Sequence, residues 1–290
     1  MTRQRGLDHL VLTVSDLAAA EARYRAMGFT VTPRAQHPFG TGNHLAIFDG
    51  NFLELLAVTE PARIPPAIPG AFGFGQHTKA FIERHEGLSF VVLDSVDARA
   101  DRAEFAAADL DPYPVFDFSR TARQPDGSEP TIAFSLVFVV SRRLPQAPHF
   151  VCQQHNPEYF WKPEYQKHAN GARQIASVTL AVEAPNAVRS YYAGLFGAAA
   201  VAATGRGLEV TTGRGVIELV ATADLAARYP GVALTPPPGG PTIVGFAVKV
   251  DALATVRSCL AQAGIAVVEC RGQPAVPPAG NFGAVIEFVA

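Results

Sequence analysis

Residues 7–14, Leu-Asp-His-Leu-Val-Leu-Thr-Val, alternate in the manner of a strand. Residues 15–27 then take helical spacing and stop at Gly28. A second strand is expected at 29–32. A hairpin follows, with strands at 44–48 and 52–57 turning at Asp49-Gly50-Asn51. The same order recurs. Residues 87–93 read as an apolar strand. Residues 95–110 read as a helix carrying Val96, Ala100, Ala103 and Ala107 on its apolar face. Residues 115–119 and 131–141 are strand-like around a turn at Gln124-Pro125-Asp126-Gly127, and 149–155 closes the unit. In a third copy, 176–182 is the strand and 185–196 the helix, with Pro185 at its start and Gly197 at its end. Its hairpin comprises 207–211 and 215–220, turning at Gly213-Arg214. The fourth has a strand at 243–250, a helix at 251–263 capped by Asp251 and stopped by Gly264, a short strand at 266–269 and a last one at 284–289.

The third copy's Val216-Ile217-Glu218-Leu219-Val220 echoes the first copy's Phe52-Leu53-Glu54-Leu55-Leu56. The copies pair naturally in sequence. Residues 1–172 would form one domain (modules 7–58 and 87–155), and residues 173–290 a second (modules 175–221 and 243–290). Three stretches break the pattern and are expected as loops and lids: 61–86, Pro- and Gly-rich and then helical in its second part, 156–173, and 224–242 with its Pro236-Pro237-Pro238-Gly239-Gly240 run.

Composition narrows the function classes. A chain of 290 residues, 48% hydrophobic with a net charge of −2, supports large cores. No run of Lys or Arg marks a nucleic-acid surface. No apolar stretch approaches the roughly 20 residues of a membrane span. Residues 1–6 lead straight into a strand, so no signal peptide is expected. Three scattered cysteines, Cys152, Cys259 and Cys270, fit a reducing cytoplasm better than a disulfide scaffold. There is no Gly-Lys-Ser/Thr phosphate loop, no dinucleotide fingerprint and no nucleophile elbow, so no nucleotide cofactor is expected.

Four βαβββ units in one chain resemble the vicinal oxygen chelate superfamily, and within it the glyoxalase-like branch. The resemblance rests on Leu7-Asp8-His9-Leu10-Val11-Leu12, Ser15-Asp16-Leu17, Met27-Gly28-Phe29, the string from His37 through Pro38, Phe39, Gly40, Thr41, Gly42 and Asn43 to His44, and Phe52-Leu53-Glu54-Leu55. It implies an α+β fold of four modules paired into two cup-shaped half-barrel sheets, with a divalent metal (Zn, Ni, Mn, Fe or Mg) at the floor of a cup. Such an ion activates adjacent substrate oxygens as a Lewis acid.

Carried onto this chain, the resemblance makes His9 the first-strand metal ligand and Glu54 the last-strand ligand, with Glu54 and His44 as proton-moving candidates. His37, Thr41 and Asn43 in the glycine-rich loop, and Gln153, His155 and Trp161 near the end of the second module, are the expected substrate-binding groups. The other ligand positions depart from the pattern. Phe90 or Ser89, Ser177 and Gly245 occupy first-strand positions, and Glu218 and Glu287 last-strand positions without histidine partners. All eight histidines lie at or before His168, which argues against the ring-cleaving sites that branches of the superfamily keep in the second half. Two readings of the first cup stay open: a metal-dependent isomerase or lyase acting at adjacent oxygens, and a metal-free protein that binds or sequesters a small molecule through a His9–Glu54 polar pair. A small molecule is the expected partner, with homodimerisation left open.

Overall fold

The computed structural model describes residues 4–124, 126–237 and 240–290. Pro125 of one expected turn and Pro238-Gly239 of the proline run lie outside them. Module one comprises β1 (Leu7–Thr13), α1 (Leu17–Ala26), β2 (Ala35–Gln36), β3 (Thr41–Ile47) and β4 (Phe52–Val58), and α2 (Phe74–Ile82) follows it. Module two is β5 (Gly87–Ser95), α3 (Ala98–Ala107), β6 (Phe116–Thr121), β7 (Thr131–Val139) and β8 (His149–Gln154). Module three is β9 (Ala172–Val182), α4 (Arg189–Phe196), β10 (Val201–Thr204), β11 (Gly207–Thr211) and β12 (Val216–Ala221), followed by the short α5 (Leu225–Arg228). Module four is β13 (Thr242–Val250), α6 (Leu253–Gln262), β14 (Val268–Cys270), β15 (Gln273–Val276) and β16 (Val285–Val289).

In every module the first strand lies parallel to the last: β1 with β4, β5 with β8, β9 with β12 and β13 with β16. First strands then pair antiparallel, β1 with β5 and β9 with β13, which makes two curved sheets. A single pairing of Ile243 with Leu88 joins them into one continuous sheet.

Strand alternation sorts the side chains. Leu10, Leu12, Leu53, Leu55, Val91 and Val151 point outward into a large apolar core that the helices and both halves share. Val11, Phe52, Leu56, Phe90, Val92, Phe150 and Cys152 point into the N-terminal cup. Buried polar pairs tie the halves together. Asn51 donates to the Ile175 carbonyl at 3.0 Å and accepts from its amide at 2.9 Å, and Tyr24 donates to Asn281 at 2.8 Å.

Two strands, β10 and β15, were not expected, and three other departures have a clear physical reason. Residues 29–32 do not form a strand. Phe29 and Val31 are buried in the helix-side core, and the ladder begins only at β2. The apolar face read on α3 is its wet face. Val96 is 67% exposed, while Ala98, Asp101 and Phe105 are buried. Asp101 can sit inside because Arg5 donates to it from Nε at 2.9 Å, and an alanine-rich helix carries too little amphipathic contrast to reveal this. Asp251 does not cap α6. Ala252 holds the cap position, and Asp251 instead pairs with Arg173 at 2.7 Å.

Candidate functional site

The cup of the N-terminal half is walled by aromatic rings and floored by polar groups. Its lining includes Phe39, Phe74, Phe118, Phe150 and Phe160, together with His9, His37, Asn43, Glu54 and Arg120. The cavity is about 40 Å³, room for a few waters where polar partners exist.

Strand register places each floor residue. Val11 is the register partner of Glu54 across the parallel β1–β4 pair, and His9 that of Phe52. The His9 ring stacks on Phe52 at 4.2 Å between centroids. His9 Nδ1 donates to Asp8 Oδ2 at 2.7 Å, which turns Nε2 toward the cup. That Nε2 lies 3.8 Å from Glu54 Oε2. His37 reaches the same carboxylate from the glycine-rich loop. Gly40, at φ +86°, turns the chain where a side chain would collide with the Glu60 carbonyl. His37 N then donates to the Thr41 carbonyl at 2.8 Å. The His37 ring meets Thr41 Oγ1 through Nδ1 at 2.8 Å, and its Nε2 stands 3.9 Å from Glu54 Oε1. Asn43 Nδ2 donates to Glu54 Oε1 at 2.5 Å, while Asn43 Oδ1 is buried without a partner among the described residues.

Glu54 is thus a buried carboxylate flanked by two imidazoles, each too distant to hydrogen-bond it. Burial holds the His37 pKa well below its ordinary value, and the charge of Arg120 pushes the same way. Cys152 lines the cup too, but burial and the carboxylates of Asp8 and Glu54 hold its thiol pKa well above normal, so it is a poor nucleophile.

The metal that the fold suggests can be tested against this donor set. An ion about 2.1 Å from an imidazole nitrogen and a carboxylate oxygen separates them by about 3 to 4.2 Å, depending on the angle. The His9–Glu54 separation falls within that span. The set is short, however. Among the described residues no three His, Cys, Asp or Glu groups converge in metal-holding geometry, and His37 faces the carboxylate oxygen opposite to the one His9 faces. Register explains the gap: Phe90 and Phe150 occupy the module-two positions that correspond to His9 and Glu54. The residues therefore fit a two-donor hold with room for outside ligands.

Of the site residues expected from sequence, His9, His37, Asn43 and Glu54 meet in the cup, and Thr41 braces His37. Four do not come to the floor. His44 points to the opposite face of β3, donating from Nδ1 to the Thr32 carbonyl at 2.8 Å and lying 3.3 Å from Glu21 through Nε2, so a proton-moving role at Glu54 is geometrically closed to it. Gln153 ties the start of α3, accepting from Ala98 N and donating to the Val96 carbonyl. His155 is exposed and bonds Ser135 at 2.8 Å. Trp161 lies behind the wall, its ring 5.1 Å from Phe160. Gln153 alternates to the side of β8 away from Cys152, and His155 and Trp161 follow the strand's last residue, Gln154, so none of the three lines the cup.

Two contributors were missed. Asp8 orients His9, and the adjacent Asp-His dipeptide was its visible signal. Arg120 shares the inward face of β6 with Phe116 and Phe118, a period-two pattern legible in Phe116-Asp117-Phe118-Ser119-Arg120. From the segment after β8, Phe160 closes one wall of the cup, and His168 bonds back to Thr30 and Ile47.

Paired βαβββ modules curled into cups are the architecture of the vicinal oxygen chelate superfamily. Residues 7–196 match the family model described as a glyoxalase-like domain. The chain belongs to this glyoxalase-like family. Among solved structures, it is similar to a hypothetical protein from Staphylococcus aureus (TM-score 0.66, 12% identity, 98% of this chain and 99% of that one). It is also similar to a variant of 4-hydroxymandelate synthase from Streptomyces coelicolor (TM-score 0.60, 12% identity, 99% and 92%). At such identity the likeness is one of fold. No curated protein matches the chain.

Proposed function

We propose that the N-terminal cup binds a small oxygenated molecule with an apolar body and, with a divalent metal held by His9 and Glu54, carries out isomerase or lyase chemistry at adjacent oxygens. The carrying observation is the buried Glu54 carboxylate with one imidazole nitrogen facing each of its oxygens, at 3.8 and 3.9 Å. With the His9 Nδ1 proton committed to Asp8, the Nε2 lone pair and a carboxylate oxygen face each other, an arrangement that calls for a cation between them. Bound there, a divalent ion supplies Lewis acidity to substrate oxygens.

The chain's own groups supply the rest. Asp8 fixes the His9 tautomer. Asn43 steadies one oxygen of Glu54. His37, kept neutral by burial, is the base placed to take a proton from a molecule above Glu54. The phenylalanine wall keeps water from the reacting centre. We place the protein in the cytoplasm, where its three free thiols would stay reduced. No described helix is long and apolar enough to cross a membrane.

Elemental analysis after incubation with Zn, Ni, Mn, Fe and Mg in turn tests the reading. One equivalent of metal is expected in the native protein and is lost in His9→Ala and Glu54→Ala. No stoichiometric metal under any of these conditions would overturn it. A second reading, metal-free binding, is favoured by the 2.5 Å bond from Asn43 to Glu54 and by the two-donor limit. It predicts ligand binding that survives exhaustive chelation.

A further inference from the structure

The floor of the cup leaves two buried polar atoms unanswered. Asn43 Oδ1 lacks a donor, and Arg120 Nε lacks an acceptor among the described residues. Arg120 stands at a junction. It lines the inner cavity and also a second cavity of about 50 Å³ on its other side, and Asn43, Leu45 and Phe160 line both. Arg34, Arg123 and Tyr165 line the outer cavity, so a molecule arriving that way passes three guanidinium groups on a protein whose net charge is −2. Arg120 donates from Nη1 to the Thr121 carbonyl at 3.1 Å and packs near the face of Phe134. Burial and the attraction of Glu54 act oppositely on its proton affinity, and no carboxylate of the described residues lies in ion-pair contact with it. A guanidinium keeps its charge under such conditions and offers a planar fork of donors.

We propose that the cup selects a hydroxy-carboxylic acid whose carboxylate is gripped by Arg120, whose hydroxyl donates to Asn43 Oδ1, and whose small aryl or branched alkyl body lies among the phenylalanines, whose rings move apart to admit it because the cavity between them is only about 40 Å³. This rests on the reading of the cup as the binding site and names its substrate class. The direction of binding follows from the two polar contacts. Arg120 holds the carboxylate on its side of the cup, and Asn43, which also bonds Glu54, places the hydroxyl-bearing carbon over His37 and Glu54. The match to a carboxylate is bidentate and charge-assisted, which a neutral amide cannot reproduce.

The single tryptophan, Trp161, meets Phe160 edge-on behind the wall and lies 6.1 Å from Phe52, so its fluorescence is the readout of occupancy. The probes are 3-phenyllactate and 2-hydroxyisocaproate, each titrated against its own primary amide. In the native protein at least one acid is expected to bind about ten-fold or more tightly than its amide. In Arg120→Gln that preference collapses to within about two-fold while metal content and thermal midpoint stay unchanged, and Arg120→Lys falls between. Equal affinity of acid and amide in the native protein, no binding of either acid, a preference that survives Arg120→Gln, or loss of metal together with the preference in Arg120→Gln would overturn the proposal. Native protein that prefers the acid yet holds no metal would keep this inference and remove the metal from the proposed function.

Discussion

On the floor of the N-terminal cup, Glu54 faces two imidazoles across gaps of 3.8 and 3.9 Å and borders a cavity. At the matching places in the C-terminal half, Glu218 and Glu287 converge on one guanidinium. Arg228, carried in by the short α5, meets Glu218 at 2.6 Å and Glu287 at 3.0 Å, and Arg271 adds a second contact to Glu287 at 3.2 Å. The first-strand position that is His9 in module one is Gly245 in module four. A Cβ built there would come within 2.8 Å of the Tyr229 hydroxyl, so the tyrosine fills the place that a metal-binding side chain would need. Tyr229 donates to Thr179, and Thr179 to Glu218. The same strand register thus delivers acids to both cups. In one they are neutralised by a buried cation; in the other the acid keeps only neutral or weakly placed partners. The first arrangement supports the fold, and the second leaves an unmet electrostatic demand of the kind that binding sites keep.

The sharpest way to break this contrast is Arg228→Met. It strands Glu287 inside the protein with only Arg271 beside it, and should cost about 3 kcal/mol or more in urea unfolding. Adding Glu218→Gln and Glu287→Gln should restore most of that loss, because the uncompensated charges go with the cation. Metal content and ligand binding in the N-terminal cup should be unaffected by either variant.

Acid should act on the other half, since all eight histidines lie there or at the seam. Burial brings His149 and His77 down to about 4 from the ordinary 6.5. A group whose folded value is depressed contributes stability above its unfolded value and loses it as pH falls toward the folded one. Stability should therefore hold above pH 6.5 and decline between 6.5 and 4, by about 3 kcal/mol for each histidine at the acid end. His149 donates to the Ala147 carbonyl and packs against Tyr191 and Tyr192. His149→Gln should flatten the decline by roughly one histidine's share, read as the thermal midpoint against pH. A midpoint that does not move between pH 7 and 4 would contradict the burial assigned to both rings.

The smallest stability effect is expected at the proposed site itself. In the metal-free protein Glu54→Gln removes a buried charge with no cation in contact, so unfolding free energy measured under chelation should change by about 1 kcal/mol or less, and toward greater stability. The same substitution should abolish metal retention, whereas Glu218→Gln should leave metal content unchanged. A stability loss at Glu54 comparable to that at Arg228 would mean that the two cups differ less than their geometry indicates.

Much of the architecture was legible because each module repeats the same order of periods, two then 3.6 then two, with glycine and proline at the joints. Helix faces in the alanine-rich stretches were not, as α3 makes plain: Asp101 is inside and Val96 outside because Arg5, nearly a hundred residues away, supplies the charge that Asp101 needs. At the site, residues on paired strands could be placed by alternation, which is why His9, Asn43 and Glu54 converge. His44 could not, since a one-residue step along β3 sends it to the helix side, where Glu21 and the Thr32 carbonyl satisfy it.

What the chain alone determined is the repeated module, the side of each strand that turns inward, and the confinement of imidazole chemistry to the first half, because these depend on local period and on which residues exist. The tertiary structure decided which polar groups are answered. Arg228 enters one cup from a short helix outside the module's strands and cancels its acids, while Arg120 enters the other from a facing strand and stops short of Glu54. The strength of a buried charge depends on what lies within a few ångströms of it, and that distance is set by the folding of remote segments together.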